Sequence, residues 1–137
     1  MSGLFDKTTG ALGKSLDMRL LRHNITSANV ANAETPGYAA KKMDFEESLS
    51  RALDLEEFGQ IETSSPDHFP VGKGAVNSVR GDIYDNPDIN HSNDKNTVDL
   101  EKEMSTLAEN TILYRSAIEL IKKKLGSMKY AVTEGGR

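Results

Sequence analysis

TVDLEKEMSTLAENTILYRSAIELIKKKLGSM, residues 97–128, decides the fold of this chain. Its seam residues recur in alternating steps of four and three: Leu100, Met104, Leu107, Thr111, Tyr114, Ile118, Ile121, Leu125 and Met128, with Thr111 the only polar member. One face of a helix satisfies that spacing and a strand does not, and heptads sustained over this length read as a coiled-coil seam. Both ends carry terminal signals. Asn96 or Thr97 can cap; Asp99, Glu101 and Glu103 put negative charge at the positive end of the helix dipole; Lys122, Lys123 and Lys124 gather near the other end. At about 1.5 Å per residue a helix over 96–130 is about 50 Å long, more than a compact domain of this size needs. It requires a partner.

The first 34 residues supply one. Ala11, Met18 and Ile25 repeat every seven residues, Leu21 and Ala28 fill the intervening positions, and Leu12, Leu16 and Leu20 widen the face. Gly3, Gly10 and Gly13 each cost up to about 1 kcal/mol relative to Ala in a helix, so the first dozen residues are expected to fray. Pro36 disfavours helical backbone at Thr35, and Pro36-Gly37 suits the centre of a type II turn, so the helix stops there. Asn24, Asn29 and Asn32 occupy its last turns, where propensity gives no reason for them. They read either as solvated groups that help termination, or as amides bonded to neighbouring helices that fix register.

Between the long helices, Lys42 to Leu55 fits one amphipathic helix, with Phe45, Leu49, Ala52 and Leu53 on one side and Glu46, Glu47 and Arg51 on the other. From Glu56 to Lys95 the chain is rich in Gly, Pro, Asn, Asp and Ser, and its apolar residues are scattered. An irregular arm with room for a small hairpin follows. The expected fold is mainly α: an elongated, coiled-coil-like pair of long N- and C-terminal helices with a short helix and an irregular middle arm. It forms a single domain over 1–137, divided into the helix 1–34, the turn, short helix and arm 35–95, and the helix 96–130.

Composition agrees. Hydrophobic residues make up 36% and aromatics 6%, with no Trp, which leaves too little for a large globular core. Without Cys there is neither a disulfide framework nor a thiolate metal site. No apolar run approaches the ~18 residues of a membrane span, and the N-terminus lacks the features of a secretory signal. By these rules alone the chain reads as cytoplasmic. Charge is uneven: residues 1–42 hold six basic and three acidic groups, 43–97 four and twelve, and 98–137 seven and six. No continuous cationic stripe results, which argues against a nucleic-acid partner.

Catalysis finds little support. His23 sits in the first helix, and His68 and His91 lie in the arm without a ligand pair at helical or hairpin spacing. Gly72 and Gly74 lack the third Gly and the strand-to-helix context of a phosphate loop. Arg80-Gly81-Asp82 is a chance-level tripeptide in a Gly- and Asp-rich loop. No catalytic, cofactor-binding or metal-ligating set is expected.

Ser27 to Tyr38, SANVANAETPGY, resembles the N-terminal signature of the axial proteins of the bacterial flagellum, the rod, hook and hook-associated proteins. Asn29, Ala31, Asn32, Thr35, Pro36, Gly37 and Tyr38 carry the resemblance, and Glu34 departs from the Asn or Asp expected at its place. Asn96 to Met104, NTVDLEKEM, followed by Leu107, Ala108, Glu109, Asn110 and Tyr114, resembles the C-terminal helix of the short proximal rod members. The chain also lacks the large inserted domains of the hook and distal-rod relatives.

The resemblance implies a structural subunit rather than an enzyme. Subunits of that family pack in a tubular helical stack, terminal helices innermost around a channel for exported proteins, and form the proximal part of the drive shaft for motility. The implied assembly interface comprises Leu21, Ile25, Asn29, Asn32, Pro36, Gly37 and Tyr38 with Leu100, Met104, Leu107, Tyr114, Ile118, Ile121 and Leu125. Implied partners are further copies of the chain, other rod proteins, the rod-base adaptor and membrane ring, and the flagellar export apparatus. The implied location is the periplasmic basal body, reached unfolded through type III export without a cleavable signal peptide. The heptads alone leave a second reading open, a cytosolic coiled-coil adaptor, which has no need of the Thr35 to Tyr38 turn.

Overall fold

The computed structural model describes residues 7–57, 75–87 and 95–134. In chain order these form α1 (Lys7–Ala31), β1 (Lys41–Asp44), α2 (Glu46–Glu57), α3 (Ala75–Ser78), β2 (Asp82–Asp85) and α4 (Leu100–Glu134). The two long helices pack against each other, as the paired apolar rows require. They run antiparallel: the Asn110 amide donates to the Arg19 carbonyl, and the Asn29 amide, further along α1, donates to Glu103, further back along α4. Of the earlier readings, His68, His91, Gly3, Gly72 and Gly74 lie outside the described residues.

The core sits on the other flank of α1. Met18 packs with Met43 and Phe45, joined by Ile25 and Leu49; a second cluster gathers Ala52, Ala75, Val76 and Val79 with Ala11 and Leu49. Phe45 is fully buried, and burying one such ring contributes about 1.5–3 kcal/mol. Small residues dominate the second cluster, which brings α2 and α3 close to α1. Gly81 lies against Met43 of the first cluster, where a Cβ would fall 2.0 Å from the Met43 methyl.

Lys42 to Asp44 is strand, not the start of the helix that the amphipathic pattern predicts. β1 pairs antiparallel with β2, Lys42 opposite Tyr84 and Asp44 opposite Asp82, and Asn86 N donates to Ala40 O at 2.8 Å. Its other edge meets α1. Asn29 donates to Lys41 O at 2.7 Å and accepts from Lys41 N at 3.1 Å, while Arg22 Nε donates to Met43 O at 3.0 Å. Asn29 and Arg22 stand seven residues apart on one helix face and so do the work of a neighbouring strand. A helical Lys42 to Asp44 would forfeit the bonds on both edges. The irregular arm thus contains a strand and a short helix, and its strand pairs with a segment outside the arm.

The helix limits also shift. α4 begins at Leu100 because Asp99 is its N-cap: Asp99 Oδ1 accepts from Lys102 N at 3.1 Å. It continues to Glu134, beyond the expected end at 130. α1 is helical from Lys7 through Gly10 and Gly13, where Ala11 packs against the second cluster. It closes at Ala31, where Asn32 N is shared between the Ala28 and Asn29 carbonyls and Ala33 N turns back to Val30 O. The Pro36-Gly37 turn forms as expected, with Tyr38 N on Thr35 O at 3.3 Å and Gly37 at φ +73°.

Candidate assembly interface

Polar side chains join the long helices along their shared face. Glu103, Asn110 and Ala117, spaced by sevens, are the buried residues of α4, flanked by half-buried Leu107, Tyr114 and Ile121. The contact face is therefore rotated toward one flank of the predicted seam. Six of the nine seam residues are half-buried, whereas Leu100, Met104 and Leu125 remain 50%, 51% and 43% exposed. Leu20, Thr111, Tyr114 and Ile118 line a cleft of about 350 Å³ beside the contact.

Asn29 is the hub. It is 0% exposed, and its amide uses its full capacity inside the chain: donated bonds to Lys41 O and to Glu103 Oε2 at 3.0 Å, accepted bonds from Lys41 N and from Tyr38 OH at 3.2 Å. The carboxylate of buried Glu103 receives this amide in the first turn of α4, where the helix dipole also favours negative charge. One residue thereby ties α1, β1 and α4 together. Asn32 stays at the turn, donating to Ala28 O and accepting from the Thr35 hydroxyl.

Asn96 closes the end of α1. Its amide nitrogen lies 2.8–2.9 Å from the carbonyls of Asn32, Ala33 and Thr35, and its oxygen accepts from Val98 N at 2.8 Å. Next to it, Thr97 N donates to Tyr38 O and Thr97 Oγ1 accepts from Ala40 N. The two sequence signatures, SANVANAETPGY and NTVDLEKEM, are thus the two halves of one buckle. Lys95 enters it at φ +61°, a left-handed conformation that costs about 1–2 kcal/mol in a non-glycine residue. Replacing Asn96 with Ala is expected to lower stability by about 2 kcal/mol, because carbonyls at the helix end lose their donor. Amide exchange should quicken from Ala33 to Ala40 while the middle of α4 stays protected. Unchanged exchange in that turn would show that the buckle holds nothing.

On the opposite flank, Arg19 and Arg22 lie over the Phe45 ring at 5.4 and 4.7 Å. Arg22 forks onto Glu46 with two bonds of 2.6 Å. Burial alone would push the Glu46 carboxyl up, but the Arg22 guanidinium and nearby backbone N–H groups outweigh it and hold it below the usual range. Burial lowers Arg19 against the opposing pull of Glu46. These are structural ion pairs in which Glu46 stays half exposed. Among the described residues no group of three or more His, Asp or Glu could hold a metal, and no helix is long and apolar enough to cross a membrane.

What the surface offers instead is apolar area on α4. Ile112 is 65% exposed, Leu120 55%, and Leu113, Tyr130 and Val132 are exposed as well. The hydroxyls among them are already satisfied by their own helix: Ser116 donates to Ile112 O, Ser127 to Lys123 O, and Thr133 to Lys129 O, at 2.9–3.0 Å. Covering this face strands none of these hydroxyls, and the groups on it that need a partner are the charged side chains interleaved with them.

The structure distributes the expected interface residues over three settings. Leu21, Leu100, Met104 and Leu125 are exposed, as are Pro36 and Gly37 at the turn tip. Asn32, Tyr38, Leu107, Tyr114, Ile118 and Ile121 are half-buried. Ile25 supports the Met18 cluster, and Asn29 is sealed inside. Ile112, Leu113 and Leu120 were absent from that set because they fall outside the four-three row. Their signal was the Ile112, Ser116, Leu120 spacing of four on the far side of the helix.

A family described as "Flagella basal body rod protein" matches at residues 18–38, the segment that holds Arg19, Arg22, Asn29 and the Pro36-Gly37 turn. Among similar chains, the flagellar basal body rod protein FlgB of Aeromonas hydrophila is 32% identical over 93% of this chain and 94% of its own length. FlgB of Salmonella typhimurium is 33% identical over 90% of each, and FlgB of Bacillus subtilis 30% identical over 96% and 98%. With likeness of that degree running through both long helices and the arm between them, the chain belongs to the FlgB family of flagellar basal body rod proteins.

Proposed function

We propose that this structural rod subunit polymerises through its terminal helices into the proximal part of the rod, contributing to drive shaft and export channel alike. The observation that carries the reading is α4. A helix of 35 residues, paired with α1 on one face, keeps a second apolar face whose interleaved hydroxyls are internally bonded. An uncovered surface of that kind is a liability in a solitary chain and a joint in a polymer. Head-to-tail contacts are required, because only a heterologous interface propagates.

Other rod proteins, the adaptor at the rod base with its membrane ring, and the export apparatus are the partners that follow from this role. The chain would reach the periplasmic side unfolded through the flagellar export route and without a cleavable signal peptide. Its work is mechanical rather than catalytic. The domain extends over 1–137, with the buckle as its organising contact, and the expected interface changes accordingly: Leu100, Met104, Leu125 and Leu21 remain candidates for contact between subunits, while Asn29 acts from within.

Imaging basal bodies purified from cells that carry a tagged copy tests this directly. Label confined to the proximal rod is expected, with loss of swimming when the chain is deleted. A soluble cytosolic dimer, absent from basal bodies, would return the coiled-coil adaptor to first place.

A further inference from the structure

The outer face of α4 has a counterpart elsewhere on the same chain. Ile112, Arg115, Ser116, Glu119, Leu120 and Lys123 line a shallow groove, open to solvent, along one face of α4. Arg115 and Lys123 form no ion pair among the described residues, whereas Glu119 is engaged by Lys122. From Arg115 to Thr133 the helix carries five cations and one anion. α2 has the opposite character, five anions and one cation over Glu46–Glu57. Its inner face, Leu49 and Ala52, is spent on the core. Leu53 is 38% exposed, and beside it exposed Asp54 makes no ion pair among the described residues.

We propose that the outer groove of α4 receives α2 of a second copy of this chain, with Leu53 seated between Ile112 and Leu120, and Asp54 against Arg115 and Lys123. The inference rests on the polymerisation reading above and names the surfaces that meet. Neither surface complements itself, since each would bring like charges together, and both are exposed in the single chain, so they are not mated within it. The contact is consequently directional. One copy offers its groove, the next its α2, and each retains an unused surface of the other kind, which is the condition for an open-ended stack.

The absence of Cys makes the test clean. Leu53→Cys and Leu120→Cys are placed on separate copies, co-expressed in cells lacking the parent chain, and basal bodies are mildly oxidised. A disulfide-linked dimer is expected only when both variants are present, and a ladder when both changes share one chain. Because Leu120→Cys can itself weaken packing, charge reversal in the Leu120 background supplies a second measurement. Asp54→Lys should cut motility about tenfold, and Arg115→Glu with Lys123→Glu should restore it. Motile cells with the chain in the rod, no mixed dimer and no charge rescue overturn this pairing and leave the polymerisation reading standing. Absence of the parent chain from wild-type basal bodies overturns both.

Discussion

Replacing Asn29 with Ala is expected to lower the stability of the free chain by about 3–5 kcal/mol, although Ala is the better helix former by a few tenths of a kcal/mol. The residue gives up four hydrogen bonds in a fully buried position. Three groups then lose a partner: the Glu103 carboxylate, the Tyr38 hydroxyl and the edge of β1 at Lys41. A loss of that size approaches the total stability of a small domain, about 5–15 kcal/mol. Urea unfolding followed by circular dichroism measures it, with Asn32→Ala as the comparison. Asn32 sits half-exposed at the turn, where water can replace its amide, so its change should cost no more than about 1 kcal/mol. Equal effects for the two would mean that the bonded cluster around Asn29 contributes nothing beyond an ordinary surface amide.

The second large effect separates assembly from folding. Leu120→Asp and Ile112→Asp alter side chains more than half exposed, so the free chain should keep its stability to within about 0.5 kcal/mol. In a rod the same carboxylate replaces the apolar side chain at the contact and is stripped of its water, at a cost of several kcal/mol in every subunit even with Arg115 and Lys123 on the same face. Swimming should be abolished and the chain should be missing from basal bodies, while the unfolding midpoint of the purified variant matches the parent. Ile121→Asp gives the contrast. It is half-buried toward α1 and should lose stability and assembly together. Motile Leu120→Asp cells would show that the outer face of α4 stays open in the rod.

The legible parts of this structure were those specified by repetition. Leu100 to Met128 and Ala11 to Ala28 repeat often enough to fix two helices and their mutual need, and Pro36-Gly37 prescribes one turn almost by itself. What the rows left open was rotation. Met104 and Glu103 are neighbours in sequence, and the helix buries the charged one because Asn29 waits opposite it. No hydrophobic scale anticipates that choice.

β1 was hidden for a different reason. KKMD is too short to display a two-residue period, and its partners are an amide and a guanidinium on a helix and a strand some forty residues away. Asn96 and Asp99 show how a correct residue type can be given the wrong task. Both are good caps for a following helix, but Asn96 is spent on the preceding one and only Asp99 serves α4. The outer face of α4 was hard to see because Ser116 and Ser127 interrupt its apolar residues, and the sequence does not show that their hydroxyls turn back onto the helix.

The buckle also sets the order in which the molecule can fold. Its bonds join residues 57 to 64 positions apart, and the Asn29–Glu103 and Asn110–Arg19 bonds span 74 and 91. Contacts so distant along the chain must wait for long loops to close, which is the slow regime of folding kinetics. A polypeptide emerging from a pore with its N-terminus first would present α1 early, but without Asn96 to close its end or Glu103 to satisfy Asn29. Completion therefore comes last, when α4 arrives. The native contacts themselves would keep a partly emerged chain open and pliable until nearly all of it had passed.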